Sequence, residues 1–329
     1  MNFEKLPKVE LHLHLDCSLS YRFVSDLIPG ISHLEYREKF VAPGHCNSLS
    51  TYLSKALPAI ELLQTNENLE LAVFDLFDQL KKDNVVYAEI RFAPLEHTRK
   101  GLSANEVVKA VDDAMNTAQK TYDITARLIL CTLRHYEKAQ SNEVADLCVA
   151  FKGSNVVALD IAGDEVNFSL DNHIGAFEKV KKAGMFCTAH AGEACGHQSV
   201  EETLDLLKPE RIGHGVRSNE NAKTVNRLIR ENIHLEICPK SNLLTGIYPS
   251  YSEHAISDLK NQGVSLSINT DGRTISNVSL MEEYHNLHLA KMWTVRDFRR
   301  INREAINHAF LPDSIKSSLI KRWFEQDYD

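Results

Sequence analysis

The sequence predicts an α/β protein: a (β/α)8 TIM barrel with a helical insertion between strands 1 and 2 and a helical C-terminal extension. Eight short apolar segments of strand character alternate with longer amphipathic segments, which is typical of a parallel sheet covered by helices. Eight such units also fit a chain of 329 residues, a usual size for this barrel. We expect residues 1–329 to form a single domain.

The predicted strands are apolar runs that end at glycine or polar residues. They are Val9–Leu15, Val85–Ala93, Thr125–Leu133, Val156–Ala162, Phe186–His190, Arg211–His214, His234–Cys238 and Val264–Thr270. The helical patterns between them include Ala104–Lys120, Asn172–Ala183, Ser199–Leu207 and Asn219–Glu231. An open, doubly wound sheet is the competing architecture. Its dinucleotide-binding form is disfavoured because no GxGxxG motif follows an early strand.

Two regions are longer than the barrel requires. Residues 18–84 separate strands 1 and 2, and an apolar stripe in Leu49–Leu63 predicts a helix there. That helix is either a lid over the barrel mouth or a packed peripheral helix. The chain from Leu280 onward has a helical pattern that indicates a structural extension.

The composition is that of an ordinary globular protein, with 43% hydrophobic and 25% charged residues. A net charge of −8 and an isoelectric point near 6.0 disfavour binding to nucleic acid. The sequence has no run of 18 apolar residues and no secretory signal, so we expect no membrane insertion. Seven cysteines without a CxxC pair favour reduced thiols and a cytoplasmic location. The pattern does not indicate an oligomeric state.

The first predicted strand carries histidines at alternate positions. Side chains two apart on a strand point to the same face, so His12 and His14 leave it together, about 6.5–7 Å apart. Neutral imidazoles held in this way are typical zinc ligands. Two buried structural histidines produce the same pattern, so the motif needs support from the rest of the chain.

That support comes from five strand ends, each of which is followed by polar residues or glycine. These residues are His12, His14 and Asp16 (strand 1), Gly163 (strand 4), His190 and Glu193 (strand 5), His214 (strand 6) and Asp271 (strand 8). Active sites of such barrels lie at the carboxyl ends of the strands, so we expect these groups to meet.

Ligand chemistry then suggests a role for each group. Three imidazoles and one carboxylate are a suitable donor set for a catalytic zinc ion with an open position for water; here they are His12, His14, His190 and Asp271. Asp271 is also placed to take a proton from the bound water. Glu193 is free to act as a general acid or base, and His214 to orient the nucleophile or stabilise developing charge.

Other residues near the strand ends have structural interpretations. We expect Asp164 and Glu165 to be a helix N-cap pair, and Gly192 and Gly213 to be turn glycines. We expect His197 to be structural and Cys238 to be a buried, unreactive thiol. Four further histidines belong to no pattern: His45, His97, His173 and His254.

Six segments together resemble the adenosine deaminase family of the metal-dependent amidohydrolase superfamily. They are PKVELHLHLD (7–16), ALDIAGDE (158–165), HAGE (190–193), RIGHG (211–215), CPKSN (238–242) and SINTD (267–271). The resemblance implies hydrolytic deamination of adenosine and 2′-deoxyadenosine to inosine and 2′-deoxyinosine plus ammonia. It implies that a metal-bound hydroxide attacks purine C6, and that one Zn²⁺ or another divalent metal is held by His12, His14, His190 and Asp271.

The same resemblance implies the remaining roles. Glu193 is expected to protonate purine N1, and His214 to lie beside the hydroxide, so that the catalytic set is Glu193, His214 and Asp271. The substrate contacts are expected from Asp16, which accepts a hydrogen bond from the ribose 5′-hydroxyl, from the Gly163 backbone N–H, which donates to N3, and from His14.

Two positions depart from the family pattern. Cys17 stands where the family usually has glycine, and Gly272 stands where the family usually has a polar side chain that bonds purine N7. A missing hydrogen bond there costs about 1–3 kcal/mol, unless a water or a neighbour such as Arg273 compensates. A modified 6-aminopurine nucleoside of the aminodeoxyfutalosine or methylthioadenosine type is therefore the alternative substrate, although Asp16 disfavours methylthioadenosine, which lacks the 5′-hydroxyl.

Two hypotheses from other classes remain at this stage. A metal-dependent phosphoesterase can begin with His-x-His, but it needs cationic groups for phosphate, whereas this chain places carboxylates at the strand ends. A non-catalytic nucleoside-binding protein is expected to lack a ligand or the acid, and all of these groups are present here.

Overall fold

The computed structural model describes residues 3–46 and 48–325, and it confirms the predicted (β/α)8 barrel. Eight parallel strands neighbour one another in chain order from β1 to β8, which excludes the doubly wound alternative. Their bounds are β1 Lys8–His14, β2 Val85–Phe92, β3 Thr125–Leu133, β4 Val156–Ala162, β5 Phe186–Ala191, β6 Arg211–His214, β7 His234–Ile237 and β8 Leu266–Ile268.

The ring closes between β1 and the residues that follow β8. The His14 backbone N–H donates to the Asp271 carbonyl at 2.8 Å, and the Asp271 N–H donates to the His12 carbonyl at 3.1 Å. These two hydrogen bonds bring three candidate site residues to the same point of the rim. Closure of the barrel and assembly of the site therefore depend on the same pairing.

Sixteen α-helices surround the barrel in the described residues. They are α1 Tyr21–Leu27, α2 His33–Phe40, α3 Leu49–Leu53, α4 Leu57–Leu62, α5 Asn66–Lys82, α6 Ala104–Tyr122, α7 Lys138–Ala150, α8 Ile174–Lys182, α9 His197–Leu206, α10 Ala222–Arg230, α11 Pro239–Leu244, α12 Ile256–Gln262, α13 Arg273–Ser276, α14 Leu280–Lys291, α15 Val295–His308 and α16 Asp313–Trp323. Helices on the outside and side chains on the inside bury both faces of the strands, and every residue of β2 is buried. This burial explains the nearly continuous apolar runs in the sequence.

The insertion between β1 and β2 contains α1 to α5. The prediction of one continuous helix over Leu49–Leu63 is wrong. The segment consists of α3, a 3₁₀ turn at Ser54–Ala56, and α4. Pro58 lies at the start of α4, where its missing N–H and fixed φ are tolerated, whereas inside one continuous helix it would break the hydrogen-bond ladder. The segment nevertheless lies over the barrel mouth, because its side chains line the cavity there.

The predicted C-terminal extension is also present. After α14, helices α15 and α16 pack against the apolar outer side of β1, including Val9 and Leu11. Asn302 of α15 accepts a hydrogen bond from the Val9 backbone N–H at 2.8 Å, which satisfies a donor that the strand ladder leaves over. No helix in residues 3–46 and 48–325 is long and apolar enough to cross a membrane.

Candidate active site

A cavity of roughly 1050 Å³, counted to its open mouth, lies at the carboxyl ends of the strands. Seven of the eight predicted site residues line it: His14, Asp16, Gly163, His190, Glu193, His214 and Asp271. The eighth, His12, is fully buried beside them. The insertion covers the mouth through Tyr52, Leu53, Ala56, Leu57 and Ile60.

At the floor of the cavity, imidazole and carboxylate atoms converge. His14 Nε2 lies 3.3 Å from His190 Nε2 and 3.5 Å from Asp271 Oδ1, and His12 Nε2 lies 3.6 Å from the same Asp271 oxygen. His12, His190, His214 and Asp271 each offer one ligand atom within 4.8 Å of the others. The cluster could therefore hold a metal ion.

Buried carboxylates orient two of these imidazoles. His12 Nδ1 lies 2.9 Å from Glu236 Oε2, and His190 Nδ1 lies 3.1 Å from Asp160 Oδ2. Because an ionised carboxylate only accepts hydrogen bonds, each Nδ1 carries a proton, and in the neutral ring Nε2 keeps its lone pair for the cluster. His12 Nε2 is buried and has no hydrogen-bond partner. This carboxylate–imidazole arrangement is usual behind metal-binding histidines.

A metal ligand must be a neutral imidazole, and most of the cluster histidines are expected to be neutral. Burial lowers the pKa of His14 to about 3 and lowers the pKa of His190 below its ordinary value. His12 differs, because burial and Arg91 lower its pKa but the nearby carboxylates of Asp271 and Glu236 outweigh them and raise it above 6.5. A bound cation must displace a proton from His12, so metal binding there competes with protons.

His214 is held in the opposite tautomer by a buried chain of hydrogen bonds. The Ile256 backbone N–H donates to His254 Nδ1 at 3.1 Å, and burial lowers the pKa of His254 to about 3, so its one proton is on Nε2. That proton is donated to Asn242 Oδ1 at 3.2 Å. The Asn242 amide therefore presents its N–H₂ to His214 Nδ1, also at 3.2 Å.

The consequence for His214 is that its own proton lies on Nε2, which has no partner and faces the cavity. Burial lowers the pKa of His214 well below 6.5, so the ring is neutral. A neutral ring with Nε2–H donates a hydrogen bond and offers no lone pair there. His214 is therefore suited to a hydrogen-bond role at the cluster, whereas His12 and His190 are suited to coordination.

Two of the residues at the strand ends have unusual backbone conformations. His214 has φ of 59° and Asp271 has φ of 64°, in the left-handed region that residues other than glycine seldom adopt. Such conformations cost of order 1–3 kcal/mol each and are typical of functional sites. The strain turns these two side chains toward the cluster at the point where their strands end.

Glu193 faces the cluster from the β5 side of the cavity. Its Oε2 lies 3.7 Å from His214 Nε2, and its side chain is buried. Burial, together with the charges of Asp271 and Glu165, raises the pKa of Glu193 well above 4.5. For Asp271, burial is outweighed by the imidazoles around it, chiefly His12, and its pKa is lowered well below 3.8. Two carboxyl groups of one cavity thus have opposite protonation states, a typical acid and base arrangement.

Comparison with known proteins identifies the family. The sequence profile of the adenosine deaminase family matches residues 7–325. The protein belongs to the adenosine deaminase family. An adenosine deaminase of Clostridium perfringens is 36% identical to it over 330 residues, which cover 97% of this chain and 98% of that protein.

Solved structures share the fold at lower sequence identity. An adenine deaminase of Arthrobacter aurescens has a TM-score of 0.89 at 24% identity, covering 97% of this chain and 98% of its own. An amidohydrolase of Burkholderia ambifaria, solved with bound Zn, has a TM-score of 0.88 at 23% identity, covering 98% of this chain and 90% of its own. At these identities the likeness supports the barrel architecture.

In this member of the adenosine deaminase family, the predicted N-cap role of Glu165 is wrong. Helix α8 begins at Ile174, and Glu165 is buried against the loop that follows β5. Its carboxylate accepts backbone N–H groups of residues 192, 193, 194 and 195 at 2.6–3.1 Å. Glu165 therefore fixes the loop that carries Glu193. Asp164 is not an N-cap either; it accepts the Val166 and Asn167 N–H groups in a turn and a hydrogen bond from Ser50 of α3.

The two predicted turn glycines differ. Gly192 has φ of 64° and is a turn glycine as expected. Gly213 has no such backbone requirement, and a Cβ there would come within 2.9 Å of His12 Cε1. Gly213 is therefore needed for space beside the His12 ring, and its prediction as a plain turn glycine is wrong.

Asp16 has a partner that the sequence did not indicate. His97 Nε2 lies 3.6 Å from Asp16 Oδ2, while His97 Nδ1 lies 2.9 Å from the Leu63 carbonyl. Burial raises the pKa of Asp16, but His97 outweighs it and the pKa is lowered below 3.8. Asp16 is therefore an ionised hydrogen-bond acceptor in the cavity wall. His97 has no motif around it, so only the fold reveals this contact.

Tyr52 connects the insertion to the cluster. Its hydroxyl donates a hydrogen bond to Asp271 Oδ2 at 3.2 Å and lies 2.8 Å from Ser276 Oγ. Burial raises the pKa of this hydroxyl well above 10, so it keeps its proton. The predicted segment Leu49–Leu63 thus contacts the cluster itself as well as covering the mouth. Tyrosine in an apolar helical stripe looks like a core residue, so the pattern gave no signal of this role.

Three neighbouring predictions have clear outcomes. Arg273 cannot compensate at the purine edge, because its guanidinium is buried in ion pairs with Glu10 and Asp83, both at 2.7 Å. Cys238 is fully buried, and burial raises its thiol pKa well above 9, as expected for an unreactive cysteine. His197 contacts Asn221 and Thr224 at 3.4 Å, away from the cavity lining, which fits its structural interpretation.

A buried charged network under the cluster was missed. Arg91 joins Asp160 and Glu236 at 2.7–2.8 Å, and Arg211 joins Glu236 at 2.7 Å and also Glu89. The sequence contained a signal, because charged residues at alternate positions inside apolar strands point into a barrel. The network keeps the two carboxylates that orient His12 and His190 ionised. Burial raises the pKa of each, but Arg91 and Arg211 outweigh it at Glu236, and His190 and Arg91 outweigh it at Asp160, so both pKa values are lowered.

Proposed function

We propose that this protein deaminates adenosine and 2′-deoxyadenosine to inosine and 2′-deoxyinosine, releasing ammonia. The observation that carries the proposal is the pairing, in one cavity, of a buried and protonated Glu193 with the cluster of His12, His14, His190 and Asp271. Membership of the adenosine deaminase family supports the reaction type. It also makes a phosphoesterase or a non-catalytic binding protein the weaker reading.

One zinc ion fits the residues that are present. Four ligands about 2.0–2.1 Å from a tetrahedral zinc lie roughly 3.4 Å apart, and three of the six separations among the assigned ligand atoms are 3.3, 3.5 and 3.6 Å. We assign His12, His14, His190 and Asp271 as ligands and leave His214 out because of its Nε2 proton. Nitrogen and oxygen donors also accept iron, cobalt or manganese.

When bound, the ion supplies a water molecule activated for attack on C6. The protein groups manage the protons. Asp271 Oδ2 accepts a proton from the attacking water, and His214 Nε2–H donates a hydrogen bond that holds the water oxygen in line with C6. Glu193 gives its proton to purine N1, which lets the ring accept electrons as C6 becomes tetrahedral. The C6–N bond then breaks as the amino group takes the proton held by Asp271 and leaves as ammonia, and the remaining hydroxyl proton returns to Glu193 as the C6 carbonyl forms.

The walls of the cavity position the nucleoside. Asp16, ionised and held by His97, accepts a hydrogen bond from the ribose 5′-hydroxyl. Gly163, which lines the cavity after β4, offers its backbone N–H to purine N3, and His14 contacts the substrate beside the ion. The segment from α3 to α4 covers the mouth with apolar side chains and excludes water, which strengthens these polar contacts.

A panel of nucleosides tests the proposal. Adenosine, 2′-deoxyadenosine, methylthioadenosine, an aminodeoxyfutalosine-type nucleoside and a phosphodiester are each mixed with the zinc-loaded protein. Ultraviolet absorbance and ammonia release are then followed. We expect turnover of the first two, loss of turnover after chelation with recovery on adding zinc, and loss in Glu193→Gln at unchanged zinc content. Phosphodiester cleavage, or near wild-type turnover by Glu193→Gln, contradicts the proposal.

A further inference from the structure

Cys17, which lines the cavity, lies against Gly272 at one corner of it. Gly272 follows Asp271 at the end of β8, and Cys17 ends the 3₁₀ turn Leu15–Cys17 that follows β1. A Cβ placed on Gly272 would lie 2.7 Å from the Cys17 Cβ and 3.1 Å from the Cys17 carbonyl oxygen. Carbon atoms in proteins do not approach to 2.7 Å. The side chain of one residue therefore excludes a side chain on the other.

The glycine is required by space and not by backbone conformation. Gly272 has φ of −107° and ψ of 102°, an extended conformation that any L-residue adopts. Both tight contacts of the missing Cβ are with Cys17, and the nearest atom of any other residue is the Ile275 Cβ at 3.6 Å, an ordinary contact. Cys17 is therefore what keeps position 272 without a side chain.

Cys17 also offers a polar side chain to a ligand at this corner, where its polar neighbours Arg273 and Tyr52 already have partners. Arg273 is committed to Glu10 and Asp83, and the Tyr52 hydroxyl is engaged by Asp271 and Ser276. Cys17 lines the cavity and its thiol donates weakly to Asp16 Oδ1 at 3.6 Å. Burial raises the thiol pKa well above 9, so it remains a neutral S–H.

The order of the strands decides which edge of the substrate meets this corner, and this step rests on the proposed function. In a ring of eight strands β1 lies opposite β5. Purine N1 faces Glu193, which follows β5, and C6 faces the cluster. The C5–N7 edge lies on the other side of C6 from N1, so it faces the ends of β8 and β1, where Gly272 and Cys17 lie.

We propose that Cys17 and Gly272 are one specificity-determining pair, in which the cysteine fills the space of a 272 side chain and places a neutral thiol against the C5–N7 edge of the purine. A thiol is a weak hydrogen-bond donor. The pair therefore reads N7 weakly and accepts nucleosides that are altered at this edge. The independent sign of a ligand site here is His214 Nε2, a buried donor without a partner that lines the same cavity.

The steric half of the proposal is tested by three variants. Gly272→Ala is expected to lower kcat/KM about tenfold or more and to lower Tm, because it forces two Cβ atoms together. The double variant with Cys17→Gly is expected to regain both within about threefold of wild type. The matched control combines Gly272→Ala with Cys17→Ala, which keeps the Cβ and is expected to show no rescue. Rescue by the alanine control, or no rescue by the glycine, overturns the pairing.

The specificity half uses 7-deazaadenosine, in which N7 is replaced by C–H. The measured quantity is the ratio of kcat/KM for adenosine to that for 7-deazaadenosine, compared with the wild-type ratio so that intrinsic reactivity cancels. Cys17→Gly combined with Gly272→Asn places an amide N–H₂ at the edge and is expected to raise the ratio about tenfold. Cys17→Ser, which keeps Gly272, is expected to raise it about threefold. A ratio unchanged in both overturns the assignment.

The two levels of inference fail separately. Absence of deamination of every nucleoside overturns the proposed function and the purine-edge assignment with it. The thermal unfolding of the Gly272→Ala series needs no substrate, so it still decides whether Cys17 and Gly272 are sterically coupled. If Gly272→Ala does not fold alone but folds with Cys17→Gly, the coupling is supported; if both fail to fold, it is overturned.

Discussion

Asn242 donates its amide N–H to His214 Nδ1 at 3.2 Å, and this contact fixes the proton of His214 on the nitrogen that faces the cavity. The Asn242 amide is itself oriented by His254, whose Nδ1 accepts the Ile256 backbone N–H. A backbone amide more than 40 residues along the chain thus sets the tautomer of a residue at the cluster. His214 can act as a donor because of this chain.

Asn242→Asp reverses the hydrogen bond to His214. The carboxylate accepts from Nδ1–H, so the neutral ring has no proton on Nε2, or else the ring becomes cationic. We expect kcat to fall about 10²-fold or more, in line with the cost of a wrong histidine tautomer elsewhere. The ¹⁵N chemical shifts of the His214 ring report the tautomer directly. Thr245→Val, at the end of the same helix, is the control. An unchanged tautomer with full activity contradicts this prediction.

Glu165→Gln removes one of the two carboxylate oxygens that hold the loop of Glu193. The amide N–H₂ that replaces it faces backbone N–H donors, so we expect a loss of about 1–3 kcal/mol in the free energy of unfolding. We also expect kcat to fall about 10–100-fold at unchanged zinc content, since a misplaced acid loses alignment with N1. Glu202→Gln, exposed on α9, is the matched control. Full kcat in Glu165→Gln would show that the loop does not depend on this carboxylate.

Tyr52→Phe removes the hydroxyl that the insertion extends to Asp271. A hydrogen bond to a charged acceptor contributes about 1.5–3 kcal/mol, so we expect kcat/KM to fall about tenfold or more. Tyr36→Phe, which removes a buried hydroxyl of the same insertion that bonds the Leu19 carbonyl, should leave kcat/KM nearly unchanged. Equal effects of the two substitutions would mean that Tyr52 acts only through packing.

Glu193→Gln is expected to abolish turnover and to stabilise the metal-free protein at neutral pH. The raised pKa of Glu193 means that the folded state keeps a proton that the unfolded state releases above pH 4.5. Wild-type stability therefore declines as pH rises from about 4.5 toward the folded pKa, by up to about 1.4 kcal/mol per pH unit for this group. Because glutamine does not titrate, the free energy of unfolding of Glu193→Gln lacks this contribution to its pH dependence. Urea unfolding of both chelated proteins from pH 5 to 8 measures the difference, and parallel curves contradict the assignment.

The architecture and the meeting of the strand ends were predictable because each depends on local pattern. Alternating apolar and amphipathic segments fix the barrel, and a barrel brings the residue after β1 to the residue after β8 regardless of the 250 or so residues between them. The locations of His12, Glu193 and Asp271 at the cavity followed from this. Their chemical roles remain proposals, since position alone does not assign a proton.

The supporting residues could not be predicted because they come together only through packing. Glu165 was assigned to the nearest helix, but the chain turns it toward the loop after β5. His97 and His254 have no motif because each joins a backbone group to a side chain that only the fold brings near, Asp16 for His97 and Asn242 for His254. The charges of Arg91 and Glu236 inside apolar strands were an available signal, since a buried charge in a strand needs a partner across the barrel.

We propose that three imidazoles and one carboxylate hold a single divalent ion, with His214 as a donor beside it. Anomalous diffraction at the zinc edge from zinc-loaded crystals tests this directly. We predict one peak, within about 2.3 Å of His12 Nε2, His14 Nε2, His190 Nε2 and an Asp271 oxygen, and farther from His214 Nε2. A peak bonded to His214 in place of His14, or no peak at the cluster, contradicts the account.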